Sequence, residues 1–167
     1  MFEIRSLMLA LIVPLAMTAS TASTQDLVRW RLQQSVDPVT DKKVASAFVT
    51  SDDVIGRLSV RCDSQIEQVV SIQYAQSAFI GSSTSTVIMR FDGGPPIAFP
   101  WQAQGKAVYI SDEKAVRTIA GQLLRSKRVF VRAYDYNMQP KDKSFYIGVG
   151  ADVIRQVFTD CDYSPLN

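Results

Sequence analysis

The stretch Thr86–Trp101 constrains the fold most, because a strand, a sharp corner and a tryptophan follow one another within it. In its first half, apolar residues alternate with polar ones, which is the period of a β-strand. The segment Asp92–Pro96 (DGGPP) then joins glycines, which tolerate positive φ, to prolines, whose φ is fixed. We therefore predict a central strand, a rigid turn and a short apolar segment that places Trp101 in the core, with Arg90 and the turn exposed.

The same alternation recurs along the chain and predicts about eight short strands. The other segments are Leu27–Val36, Val44–Thr50, Arg57–Cys62, Val69–Tyr74, Ala107–Ile110, Val129–Tyr134 and Ser144–Val149, with a polar hairpin loop over Asp135–Lys143. Short alternating strands separated by turns are typical of antiparallel sandwiches. The predicted fold class is therefore mainly β (all-β or α+β), an antiparallel β-sandwich with two helices.

Both helices are predicted from apolar residues at helical spacing. The first has Ser111 or Asp112 as its N-cap and ends with Lys127 and Arg128, which suit the negative end of the helix dipole. The second covers Ala151–Asp160 and leads into Cys161. We expect this second helix to pack on the sheet through its apolar stripe.

The first 22 residues have the three-part pattern of a secretory signal peptide. Arg5 lies near the N-terminus, the apolar run Leu7–Met17 follows, and small residues surround Ala19 and Ala22. This run is shorter than the roughly 20 apolar residues that span a bilayer. We predict cleavage after Ala22, with Ala19 and an uncleaved anchor as alternatives. A single exported domain over residues 23–167, periplasmic or secreted and without an integral membrane segment, would remain.

Cys62 and Cys161 are the two cysteines of the chain, and an even number in an oxidising compartment predicts a disulfide. A bond between them would close a loop for which the chain-entropy relation gives roughly 4.7 kcal/mol. Two separately buried thiols are the alternative. A catalytic cysteine is disfavoured, because the chain has no histidine to activate it.

The amino-acid composition argues against several classes of partner and cofactor. The chain has 167 residues, of which 47% are hydrophobic and 20% charged, as in a single globular domain. The net charge of +2 gives no support for a nucleic-acid partner. The absence of histidine removes the commonest general base and the commonest metal ligand. We therefore expect no metal and no cofactor.

Several local patterns resemble catalytic or ligand-binding motifs, but each has a structural explanation. Ser111 and Lys114 have the spacing of penicillin-recognising enzymes without the other motifs of that class, so we favour helix capping. Gly148 and Gly150 lack the third glycine of a phosphate-binding turn. Loop aspartates could hydrolyse glycans or bind calcium, but we interpret them as turn formers because no spaced ligand set is seen. These aspartates are Asp41, Asp52, Asp53, Asp92 and Asp135. We expect no catalytic residue.

Arginines occupy the polar positions of several predicted strands and would form a basic patch if those strands are neighbours. Arginine and aromatic residues are enriched where proteins bind one another. A solvated sheet face with a few ion pairs is the alternative. The candidate partner surface consists of Arg61, Arg90, Asp92, Arg132 and Tyr134.

A series of motifs in a fixed order gives the chain a family resemblance. They are Trp30 followed by Asp37–Asp41 (DPVTD), Leu58–Cys62 (LSVRC), Phe79–Gly81 (FIG), Val87–Asp92 (VIMRFD), Trp101, the helix over Ala115–Leu124, Val129–Arg132 (VFVR) and Cys161. In these features the chain resembles the secreted VasI-like family associated with type VI secretion clusters. The resemblance implies a periplasmic or exported β-rich domain with a disulfide, and it supplies no catalytic site.

The predicted function is accordingly a non-enzymatic exported accessory factor that binds another protein, with type VI secretion as the context that the resemblance implies. A periplasmic inhibitor or immunity protein against a cell-wall-active enzyme is the alternative. A wall-active enzyme is a third candidate.

Overall fold

The computed structural model describes residues 29–63, 69–163 and 166, so the predicted signal peptide lies outside the described residues. Within them the chain forms nine strands and two helices. The strands are β1 (Arg31–Val36), β2 (Lys43–Thr50), β3 (Arg57–Asp63), β4 (Val69–Ala75), β5 (Thr84–Phe91), β6 (Pro96–Gln104), β7 (Ala107–Ile110), β8 (Arg128–Tyr134) and β9 (Pro140–Tyr146), and the helices are α1 (Glu113–Arg125) and α2 (Val153–Asp160). The mainly β class is confirmed.

The nine strands form one antiparallel sheet in the order β1-β2-β3-β4-β7-β6-β5-β8-β9. This sheet curves until its two halves face each other across the core. The rings of Tyr74 in β4 and Phe145 in β9 meet edge to face at 6.2 Å between centroids, although four strands lie between β4 and β9 in the sheet. The amide of Asp52, after β2, also donates to the carbonyl of Ser144 in β9 at 2.9 Å. The expected sandwich-like packing therefore arises within one continuous sheet.

The stretch Thr86–Trp101 has the predicted central position. β5 pairs with β6 on one side and with β8 on the other. Its alternation places Val87, Met89 and Phe91 in the core, and Trp101 in β6 is fully buried. β5 therefore carries one face into the core and presents the other to solvent.

The first helix begins as predicted and ends earlier than predicted. Asp112 is its N-cap, and Oδ1 of this residue accepts a hydrogen bond from the amide of Ala115 at 2.9 Å. The helix ends at Arg125, because Ser126 is extended and Arg128 already begins β8. Lys127 and Arg128 were therefore wrongly assigned to the helix. Basic residues suit both the C-terminus of a helix and the exposed start of a strand, so their charge alone does not distinguish these two structures.

The second helix is held on the sheet by the predicted disulfide. Cys62 in β3 and Cys161 at the end of α2 are bonded, with 6.1 Å between their Cα atoms. The alternative of two separate thiols is thereby excluded. The helix buries Ile154, Val157 and Phe158 against the core, as its apolar stripe predicts.

The last hairpin is shorter at its turn than predicted. β9 begins at Pro140 and ends at Tyr146, so the last four residues of the loop predicted over Asp135–Lys143 lie in the strand. β9 is an edge strand, which tolerates proline and charge, and the charges of this segment obscured the strand pattern. Val149, the last residue of the predicted strand Ser144–Val149, is half exposed because it lies beyond the end of β9.

No helix among the described residues is both apolar and long enough to cross a membrane.

Candidate partner-binding groove

Three of the five predicted surface residues line one depression on the outer face of β5 and β8. It has a volume of about 990 Å³, and Arg90, Asp92 and Arg132 all contribute to its wall. Tyr134 follows Arg132 by two positions in β8 and so lies on the same outer face. Arg61 belongs to β3, which four strands separate from β8, and it lines a different, smaller depression. The structure thus brings together four of the predicted residues and leaves Arg61 apart.

We call this depression the β5–β8 groove and define it by Ile88, Arg90, Pro96, Lys127, Arg128, Phe130 and Arg132. Strand register mixes apolar and cationic side chains along it. Ile88 lies opposite Arg132, and Arg90 lies opposite Phe130 on one side and Pro96 on the other. A ligand in the groove would therefore meet apolar surface and positive charge side by side.

Asp92 closes one end of the groove, but its carboxylate is used by the backbone. Asp92 and Gly93 have φ values of 47° and 74°, and the amide of Gly94 donates to the carbonyl of Phe91 at 2.8 Å, as in a type I′ turn. The Asp92 carboxylate accepts from the backbone amides of the first residues after α1, at 3.0 Å from Lys127 and 2.8 Å from Arg128. Asp92 was predicted as a recognition residue, and in the structure its carboxylate also fixes the backbone at the start of β8.

Arg132 is fixed in the groove by its neighbour on β9. Its Nε donates to Oδ1 of Asp142 at 2.7 Å and its Nη2 to Oδ2 at 2.6 Å. The hydrogen bond to Asp142 raises the pKa of Arg132 above its already high value. The guanidinium also lies 5.7 Å from the ring centroid of Phe130. A planar cation is thereby held against an aromatic face, which limits its rotation.

A second set of ion pairs joins the β2–β3 turn to the edge of the groove. Arg128 pairs with Asp52, and Nζ of Lys143 lies 2.5 Å from Oδ2 of Asp53. The hydrogen bond from Lys143, followed by that from Ser51, lowers the pKa of Asp53 to about 2. These contacts hold the curved sheet closed beside β8.

Arg90 and Lys127 are the cations of the groove that no carboxylate neutralises within the described part of the chain. Nε of Arg90 donates to the carbonyl of Gly94 at 2.8 Å, which orients the guanidinium while leaving its other donors exposed. The side chain of Lys127 is exposed and forms no ion pair with a described residue. The groove therefore carries two positive charges available to a ligand.

The groove offers cationic side chains beside apolar walls, an arrangement that suits an anionic ligand with apolar parts. Among the residues that the structure describes, no cluster of three cysteine, aspartate or glutamate side chains could hold a metal ion. Asp135 and Tyr74 are buried, but their polar atoms bond to neighbouring residues and lie outside the groove.

The apolar walls of the groove and Lys127 were not predicted from the sequence. Ile88 and Pro96 reach it through strand pairing that no local pattern reveals. Phe130 offered a usable signal, because it is an aromatic residue at an outward position between Arg128 and Arg132.

No family model matches the chain, and no curated protein matches its sequence. A similar solved structure is that of invasion associated protein B from Bartonella henselae, with a TM-score of 0.54. The match has 16% sequence identity and covers 78% of this chain and 92% of that chain. At this identity the likeness shows the fold alone.

Proposed function

We propose that this chain is an exported, non-enzymatic accessory protein that binds another protein in the β5–β8 groove. The observation that carries the proposal is the placement of Arg90 and Lys127, two exposed cations without a carboxylate partner among the described residues, beside apolar walls. Such a surface fits a partner segment with acidic side chains next to apolar ones.

The geometry of the fixed cations supports an acidic partner. Arg132 and Arg128 are already paired with Asp142 and Asp52, so they are held in place and leave the uncompensated positive charge to Arg90 and Lys127. Arg90 is oriented by a backbone carbonyl and can offer two further donors to a carboxylate. Pre-oriented donors lose less side-chain entropy on binding, which favours recognition at this site.

Two observations support the exported context. The disulfide between Cys62 and Cys161 is of the kind that persists in oxidising compartments. The resemblance to the VasI-like family supports a role in type VI secretion. The fold of invasion associated protein B is compatible with this placement.

A pull-down with charge-matched variants tests the proposal. The Arg90→Ala/Lys127→Ala variant is compared with Lys114→Ala/Arg155→Ala, which removes the same charge from exposed positions of α1 and α2. We expect extracts of exported proteins to yield a partner that the control variant retains and the groove variant loses. Equal capture by both variants would contradict the groove as the binding site.

The identity of the captured protein separates the finer alternatives. A component of a secretion apparatus would support the type VI role, whereas a single cell-wall hydrolase would support an inhibitor or immunity protein. A zymogram on peptidoglycan tests the non-enzymatic assignment, since clearing by the purified chain would overturn it.

A further inference from the structure

Three exposed apolar side chains form a tip at the opposite end of β5 from the Asp92 turn. We call Phe79, Tyr136 and Met138 the aromatic tip. They come from the β4–β5 connection and the β8–β9 turn, and they are 51%, 69% and 72% exposed. The rings of Phe79 and Tyr136 meet edge to face at 5.8 Å between centroids. Two separate loops thus present one apolar surface.

Packing within the described chain does not explain these side chains. Met138 has a φ of 59°, in the left-handed region where glycine or asparagine costs less than methionine. Its side chain is mostly in solvent and so contributes little burial to the fold. The fold therefore holds an exposed apolar side chain at a strained backbone position, although this side chain adds little to the stability of the fold.

Several backbone amides around the tip are hydrogen-bonded within the protein. Oδ1 of Asp135 accepts from the amides of Asn137 and Gln139, both at 2.9 Å, and the amide of Met138 donates to the Asp135 carbonyl. The hydrogen bond from the Gln139 amide lowers the pKa of Asp135 most, and the bonds from Lys141 and the Asn137 amide lower it further. Lys141 also balances the charge of this carboxylate.

Two amides of the neighbouring loop are also paired, since those of Ile80 and Gly81 both donate to the carbonyl of Gly105. Pairing lowers the cost of bringing these backbone groups next to an apolar medium.

We propose that the aromatic tip inserts into the interfacial region of a lipid bilayer. Phenylalanine and tyrosine combine an apolar body with a ring that suits the headgroup level, and methionine adapts to irregular apolar surroundings. Lys106 is exposed and follows Gly105, so it places positive charge next to the tip and favours anionic headgroups. This contact is separate from the groove and leaves the groove free for its partner.

Sedimentation with vesicles tests the tip. The oxidised protein is mixed with phosphatidylcholine vesicles that contain about one third phosphatidylglycerol. We expect Phe79→Ser/Tyr136→Ser/Met138→Ser to lower the partition coefficient roughly tenfold or more. Val39→Ser changes an even more exposed apolar residue in the β1–β2 turn and is expected to bind as the wild type does.

Thermal denaturation and the groove variant serve as controls for this experiment. The thermal midpoint of the tip variant should equal that of the wild type, because the altered side chains are exposed, so lost binding cannot come from unfolding. Equal partition of the tip variant and the wild type, or no vesicle binding by the wild type, would overturn the proposal. Loss of binding only in Arg90→Ala/Lys127→Ala would also overturn it and assign lipid binding to the groove.

Discussion

Oδ1 of Asp92 accepts a hydrogen bond from the backbone amide of Arg128 at 2.8 Å. This contact joins the β5–β6 turn to the first residue of β8, and the same oxygen also accepts from the amide of Lys127. Two cations of the β5–β8 groove therefore have their backbone positions set by one turn residue. The relationship makes Asp92 part of the scaffold that places the binding groups.

Asp92→Ala should lower the free energy of unfolding by about 2 kcal/mol, because backbone amides lose a charged acceptor and alanine is strained at positive φ. Asp92→Asn should cost less, since an amide oxygen can still accept and asparagine tolerates this conformation. Urea denaturation measures both. Wild-type stability in Asp92→Ala would show that the carboxylate does not hold the start of β8.

The disulfide should supply a large part of the stability. Replacing both cysteines, as Cys62→Ala/Cys161→Ala, should lower the free energy of unfolding by roughly 2–5 kcal/mol, because the unfolded chain gains the freedom of the opened loop. Dithiothreitol should weaken the wild type to a similar extent in urea denaturation and leave the double variant unchanged. A reductant effect on the double variant would point to another cause.

Stability at low pH should depend on Asp53. Its pKa lies at about 2 in the folded chain against an ordinary value of 3.8, mainly because Lys143 donates to it. A carboxyl whose folded pKa is depressed contributes stability that is complete above its unfolded pKa and is lost as the pH falls through the folded pKa.

The advantage of the wild type over Asp53→Asn should therefore be constant above about pH 4 and shrink toward about pH 2. Urea denaturation across this range measures it. In a Lys143→Ala background, replacing Asp53 should change the pH profile much less. A wild-type advantage that grows on acidification would have the wrong sign for this account.

Exchanging the charges of the Arg132 and Asp142 pair should separate binding from stability. In Arg132→Asp/Asp142→Arg the ion pair between β8 and β9 can re-form, but the cation leaves the floor of the groove. We expect a thermal midpoint near that of the wild type, because exposed ion pairs contribute little, and weaker partner capture. Full capture by the exchanged variant would contradict a role for the cation at position 132.

Local chemistry predicted the elements of this fold better than their arrangement. Alternation identified β7 at its observed bounds, and of the two predicted N-cap residues of α1, Ser111 and Asp112, the structure uses Asp112. The disulfide followed from an even cysteine count in a chain with a signal-like N-terminus. These features depend on neighbours in sequence or on a compartment, so a single sequence carries them.

The arrangement of the strands depends on contacts that no local pattern contains. β4 pairs with β7 and β5 pairs with β8, across intervening elements. The groove exists because of the second pairing, which is why Arg90 and Arg132 became neighbours while Arg61 did not. Asp92 is exposed as predicted, but its hydrogen bonds to the backbone were not foreseen, because the partners lie 35 and 36 residues away.

Photo-crosslinking from inside the groove is a direct test of partner binding there. A benzophenone amino acid replaces Ile88 on the groove wall, or Val39 in the β1–β2 turn as the control, in cells that produce the protein. The account predicts a crosslinked protein partner from position 88 that is absent from position 39 and is lost when Arg90→Ala/Lys127→Ala is added. No crosslink from position 88, or one that the added substitutions leave unchanged, would contradict binding in the groove.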